Sequence, residues 1–407
     1  MNESKTPDWL IETQNKSWEP EILISGITLT FLFILSNHIY NFYGMLIQDF
    51  AVFDVMSKVL YIISVIILTG LKIILVIHLI LRGVWTGFVG LSYVFPDGVK
   101  KENLPESTKN INYDKPETFV IKIEKICSLL FSFVFSSITF VIGFFIIYIP
   151  LIILFIIDLN MSYIEIIALI YSFVFIAGAI IFSILLATKL KNSRLKQKIE
   201  NSIFNNILYT YFTNIGKTKS YLIFGSYFLI VTSLSFSDFS KFDFENDKSR
   251  DISSTVNINN LNRDHYEALR NQKLRIPKAT IDQFHVTGHT IELFISYYKE
   301  DLYPIKELQK NSTFCKKFNI ESDSTRIKLS DLYKIVIDDK PISGLRWYFT
   351  ENKYTNQKGI ITILPVENLT SGDHELKINK NYWSIKKKEM KLIKNWEIIP
   401  FEIRQQN

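Results

Sequence analysis

Cysteine is nearly missing from this chain: 407 residues hold two, alongside 15 glycines and 11 prolines. Two thiols cannot staple a disulfide scaffold, and so little glycine excludes a collagen-like repeat. Disorder is excluded by the 48% hydrophobic content. Charge of one sign is also scarce as a surplus. The net +6, from 46 basic and 40 acidic residues, is too mild to imply a nucleic-acid partner. Catalytic signatures are missing too. There is no His-Glu-x-x-His, Gly-x-Ser-x-Gly, paired Cys-x-x-Cys or dinucleotide fingerprint. Gly216-Lys217-Thr218 ends like a phosphate loop, but Tyr211 stands where its first glycine belongs. No catalytic residue, cofactor or metal ligand can be named, and an enzyme is not expected. Met1 to Pro20 is polar and lacks a signal-peptide core.

Long apolar runs are what the chain has in plenty, and they stop near residue 237. A bilayer core takes roughly 20 apolar residues of helix. Five stretches approach that: 22–40, 59–81, 126–157, 164–188 and 219–236, the last being the shortest. Lys and Arg set their orientation. The second loop carries Arg82, Lys100, Lys101, Lys109, Lys115, Lys122 and Lys125. The fourth carries Lys189, Lys191, Arg194, Lys196, Lys198, Lys217 and Lys219. The first loop has Lys58 at its end and the third has none. The alternation predicts five spans, a cytoplasmic tail at 1–20 and a C-terminal region outside the cytoplasm. Should the fifth segment not span, that region moves to the cytoplasm.

Three flanking pieces read differently. After Arg82, the segment to Gly98 is apolar but too short to span, and Trp85, Tyr93 and Phe95 fit an interfacial helix. Its Gly83 and Gly87 form a G-x-x-x-G that permits close helix approach. Residues 195–213 show helical apolar spacing, which predicts an amphipathic cytoplasmic helix. Residues 237–260 are polar and read as a linker.

In the region 261–407, residues 262–272 could form a short helix capped by Asn260 or Asn262, and beyond it the pattern turns to strands. Short β-branched and aromatic runs occur at 281–284, 292–298, 333–337, 345–349, 359–364 and 375–378, with two more around 386–394 and 398–403. Thr287-Gly288, Asp338-Asp339, Ser343-Gly344 and Ser371-Gly372-Asp373 separate them. The expected fold is thus a multi-pass α-helical membrane domain (21–236) followed by an all-β sandwich domain (261–407).

The runs Glu292 to Tyr298, Leu332 to Ile342, Gly359 to Ile378 and Ile399 to Phe401, with Leu-x-x-Gly-x-His-x-Leu-x-Ile at 369–378, carry a resemblance. They are similar to the extracytoplasmic domain of uncharacterised bacterial multi-pass inner-membrane proteins, and to a late strand of immunoglobulin-like sandwiches. The resemblance covers about the last 130 residues. It implies a β-sandwich in the periplasm and no activity.

A few residues stand out. Lys72 lies ten positions before Arg82, about 15 Å along a helix at 1.5 Å per residue, near mid-membrane. An ionisable group there faces the bundle or water. Glu165, Asp158 and Asp54 are its candidate partners. It is either part of an ion pathway or paired structurally. His78, on another side of that helix, reads as a satisfied interfacial histidine, and Arg82 as a boundary residue on lipid phosphate. His285 and His289 have i, i+4 spacing but sit on strands, roughly 13 Å apart, where they suit no common metal. Lys386, Lys387, Lys388, Lys391 and Lys394 could bind an anionic surface, or protect an edge strand. Cys127 falls in an expected span and Cys315 in the outer domain, so in that topology they cannot pair.

The function expected from this is a non-catalytic membrane subunit or scaffold of an envelope assembly, with membrane lipids and other membrane or envelope proteins as partners. A transporter or channel component using Lys72 is the alternative. A membrane enzyme on lipid or glycan is a third, with no nucleophile or base to name.

Overall fold

The computed structural model describes residues 18–52, 54–156, 197, 201, 203–244, 261–310, 328–384 and 389–404. They form two compact units. The helical unit takes the chain up to Ser36, then 62–154, then the stretch ending at Phe239. The β-unit takes 37–61 together with the chain from Ser240 onward.

In the helical part, α1 spans Trp18–Gln48 and α2 spans Asp54–Val94. Helix α3 spans Pro116–Ile156, α4 spans Ile203–Ile215 and α5 spans Lys217–Lys241. Three helical stretches among the described residues are long and apolar enough to cross a membrane: Trp18–Gln48, Met56–Val94 and Lys217–Phe239. They carry the first, second and fifth expected spans. The third expected span falls in α3. The fourth, 164–188, lies outside the described residues. Glu19 and Glu21 lie in the first turn of α1, where carboxylates favour the positive end of the helix. Gly216, at φ 91°, ends α4 in the left-handed conformation that suits a glycine C-cap, and α5 starts at once.

Two expectations are corrected here. No separate helix follows Arg82. Instead α2 continues unbroken to Val94, and its 41 residues measure about 61 Å at 1.5 Å per residue. The stretch after 236 is also not linker from its start. Helix α5 runs to Lys241, and Phe242 and Phe244 are buried against Tyr40 and Tyr61. Aromatic residues there gain more from burial than a solvated linker would allow. Residues 245–260 lie outside the described set, as does most of 195–202.

The β-unit carries two sheets. Strands β1 (Ala279–Ile281), β3 (Thr290–Ser296), β7 (Lys358–Pro365) and β6 (Trp347–Glu351) form one, in the order β1-β3-β7-β6. Strands β2 (His285–Val286), β9 (Glu389–Ile403), β8 (Gly372–Ser384), β4 (Tyr333–Ile337) and β5 (Lys340–Ile342) form the other, in the order β2-β9-β8-β4-β5. Pairing is antiparallel except for β2 with β9. Period-two alternation buries Ile291, Leu293 and Ile295 on β3, and Ile335 and Ile337 on β4. It does the same for Leu376 and Ile378 on β8, and for Ile399 and Phe401 on β9. Asp338 and Asp339 both take positive φ, 47° and 66°, which closes the two-residue β4–β5 hairpin as a type I′ turn. The described part of the expected strand 386–394 merges with 398–403 into the single β9, and 386–388 lie outside the described residues. A short helix, α6 (Leu302–Lys310), follows β3. The expected helix at 262–272 is instead one 3₁₀ turn, Arg263–His265, capped by the Asn262 side chain.

Candidate functional site

Arg82 is the centre of a buried charge cluster in the helical unit. Its guanidinium bonds Glu21 on α1 and both carboxylate oxygens of Glu124 on α3, at 2.6 and 3.1 Å. Its side chain is 1% exposed and that of Glu21 is 7%. The expectation that Arg82 binds lipid phosphate is therefore overturned. Protein carboxylates, not phosphates, satisfy it, because α1 and α2 run antiparallel and bring residue 21 opposite residue 82. His78, fully buried one turn away, meets the Ser25 hydroxyl at 3.1 Å through Nδ1. Its Nε2 lies 3.7 Å from Glu21 and has no hydrogen-bond partner. Sequence spacing offered a signal for this cluster. In an antiparallel helix pair, a carboxylate in the first turn of one span faces a cation at the end of the next.

Lys72 sits elsewhere in the same unit. Its ammonium bonds the Ser36 hydroxyl at 2.6 Å and lies 5.2 Å from the Phe33 ring centre, with Asp238 of α5 in electrostatic range. Of the three partners expected for it, Asp158 and Glu165 lie outside the described residues, and Asp54 is not among the groups found beside it. Asp238 follows the apolar run 219–236, where the sequence gives no sign of its nearness to Lys72. Gly83 and Gly87 have open space where a Cβ would point, so they mediate no close helix approach among the described residues. A cavity of about 630 Å³, with Gly70, Leu71, Phe133, Tyr211 and Tyr227 among its lining residues, opens within the unit; its walls are apolar.

The β-unit holds the two most elaborate polar constructions. The first clamps the end of α1. Asn41 accepts from the Arg275 backbone N–H and donates to the Lys273 carbonyl, both at 2.8 Å. Gln48, fully buried, donates to the Ile276 carbonyl at 2.9 Å and accepts from Arg275 and Gln357, each at 3.0 Å. The Arg275 guanidinium reaches Asp49 at 2.9 Å. Burial pushes the Arg275 pKa down, with Asp49 only partly offsetting it. Gln357 closes the network on Ser296 at 3.0 Å and on the Ile276 backbone.

The second is a lysine cage. Lys380 on β8, with no side-chain exposure, contacts the Asp301 carboxylate at 2.8 Å. The rings of Tyr298, Tyr333 and Trp396 surround it at 5.0, 5.4 and 4.9 Å. The Tyr333 hydroxyl donates to Asp301 at 2.9 Å. Cation–π attraction and a hydrogen-bonded partner together make such a burial tolerable.

Of the basic run, Lys386, Lys387 and Lys388 lie outside the described residues. Lys391 and Lys394 sit on β9 where it pairs with β8 alone, an edge that lysines protect from further pairing. His285 contacts Glu402 at 2.6 Å. Among the described residues no group of three or more His, Cys, Asp or Glu side chains could hold a metal. Cys127 is buried and free, and Cys315 is outside the described residues.

These features define a class: a chain with helices long and apolar enough to cross a membrane, carrying a two-sheet, sandwich-like C-terminal unit. No known protein family, curated protein or solved structure matches it.

Proposed function

We propose that this chain is a non-catalytic integral-membrane subunit or scaffold of a bacterial inner-membrane assembly, one that presents its β-unit outside the cytoplasm to other envelope proteins. In this reading the chain crosses the bilayer five times with its N-terminus inside. The fourteen basic residues of the second and fourth loops hold it that way. The observation that carries the reading is the clamp of Asn41, Gln48 and Asp49 on Arg275 and Gln357. It builds residues 41–49 into the interior of the β-unit through buried hydrogen bonds, which makes that unit one rigid body. A rigid β-unit suits a binding module, because less conformational freedom is lost on association. Affinity purification in mild detergent at native abundance tests it. Co-purifying envelope proteins are expected, and a chain that runs alone removes the support.

A second reading, a transporter or channel component, is favoured by Lys72 alone. Its ammonium bonds Ser36 and lies in range of Asp238 inside the helical unit. Ion flux in proteoliposomes that disappears with Lys72→Met would favour it over the scaffold reading.

A further inference from the structure

Strand β6, Trp347-Tyr348-Phe349-Thr350-Glu351, is the outer strand of its sheet and pairs with β7 alone. Its backbone groups alternate in direction. The Asn352 N–H donates to the Gln357 carbonyl at 2.7 Å, and the Arg346 carbonyl accepts from the Thr362 hydroxyl at 2.9 Å. Even-numbered residues therefore turn their N–H and C=O toward β7. In an antiparallel ladder the residues between them turn the other way. Trp347, Phe349 and Glu351 thus point their N–H and C=O groups out of the sheet, where no described strand meets them. Tyr348 and Phe349 are each 61% exposed along that edge.

The other sheet edges among the described residues are guarded. Strand β5 has three residues, with exposed Lys340 first and Pro341, which has no N–H to offer, in the middle. Along β1, the Glu267 and Ala268 N–H groups cover the edge by donating to the Ile281 and Asp282 carbonyls at 2.8 and 3.0 Å. Strand β2 is only two residues long. By contrast β6 holds neither lysine nor proline, and three of its five residues are aromatic. An open edge of that composition is a template for another strand. It also complements itself. A two-fold axis through Phe349, the central residue, pairs the whole of β6 in one copy with the whole of β6 in another. Phe349 then meets Phe349, Trp347 meets Glu351 and Tyr348 meets Thr350. Aromatic pairs and aromatic–β-branched pairs are favourable across strands. No like charges face each other, because Arg346 falls opposite Asn352 and Lys353 opposite Leu345. Each outward residue gives and takes one backbone hydrogen bond in this register.

We propose that β6 is a homodimerisation edge: two copies of this chain join by antiparallel β6–β6 pairing about Phe349, and the four strands of each copy form one sheet of eight. This contact is made by the chain with itself. It stands whether or not the β-unit also binds other proteins.

The test uses the full chain in mild detergent, with Cys127 and Cys315 replaced by Ala and a single cysteine introduced as Phe349→Cys, Trp347→Cys or Ile363→Cys. Opposed Cα atoms in a hydrogen-bonded antiparallel pair lie about 5.5 Å apart, inside the roughly 4.4–6.8 Å that a disulfide spans. In the two-fold register a cysteine at position 349 faces its own copy, whereas one at 347 is four residues, ~13 Å, from its copy. Ile363 is 60% exposed on β7, away from the edge, and controls for chance collision. Oxidation with copper–phenanthroline is expected to give several-fold more covalent dimer at 349 than at 347 or 363. A yield at 349 no higher than at the other two overturns the proposal. Molar mass by light scattering gives a second readout: the unsubstituted chain is expected to be dimeric and Phe349→Pro monomeric. The Phe349 N–H does not bond β7, so proline removes only the outward donor and leaves the β6–β7 pairing in place. A monomeric unsubstituted chain, or a Phe349→Pro chain that stays dimeric, overturns the proposal as well.

Discussion

Lys380 shows how one buried charge can organise a β-unit. Removing its partner by Asp301→Ala strands an ammonium without exposure, and breaking a buried pair costs about 3–5 kcal/mol. Replacing both, as Asp301→Leu with Lys380→Met, removes the unpaired charge and is expected to recover most of that loss. Chemical denaturation of the three variants checks the order. His374 makes a pH-dependent counterpart. Burial opposes its charge, but Asp338 at 2.5 Å and the Thr370 carbonyl at 2.7 Å outweigh that and raise its pKa. Burial likewise works against the Asp338 carboxylate, yet His374 and the Glu375 backbone N–H hold its pKa low. The raised histidine contributes stability fully below its unfolded pKa, about 6.5, and loses it as pH rises through the folded value. The lowered aspartate contributes above its unfolded value and loses it as pH falls through the folded one. His374→Gln is therefore expected to lower the melting temperature more at pH 6 than at pH 9. Equal losses at both would refute the coupling. Neither site was legible in the sequence. Lys380 reads there as one more polar residue of an alternating strand, and its partner is 79 positions away.

At the scale of elements, the clamp around α1 depends on close approach. A Cβ on Gly44 would stand 2.6 Å from a ring carbon of Phe244. Gly44→Val is expected to displace that ring and cost roughly 1–3 kcal/mol by overpacking, whereas Gly26→Ala, in open space, gains helix propensity instead. Thermal unfolding of the pair separates packing from propensity. Arg275→Met tests the polar half: it leaves Gln48 and Asp49 short of a donor, and a loss of about 1–3 kcal/mol is expected. Strands were more readable than this joint. Tyr333–Ile337 and the Asp338-Asp339 turn follow directly from alternation and turn chemistry. The helix expected at 262–272 failed because Arg270 and Asn262 tie that segment into turns, satisfying its backbone locally without a helical ladder.

For the whole molecule, the orientation remains the decisive experiment. A reporter fused after Asn407 is expected to be active outside the cytoplasm, and cytoplasmic activity would refute the five-span topology. That topology comes from the loops. The proposed topology rests on fourteen lysines and arginines in two of them, a property of composition that needs no fold. The scarcity of cysteine, the apolar first half and the alternating second half were likewise fixed by local chemistry: helix length against bilayer thickness, and side-chain period against burial. Only the tertiary structure decided where the charges go. It turned Arg82 from lipid toward Glu21 and Glu124, gave Lys72 to Ser36, and bonded Gln48 to Gln357 across 309 positions. The reason is physical. Hydropathy and propensity act over a few neighbouring residues, whereas a buried charge or amide must be satisfied by whatever group the fold brings within 3 Å or so.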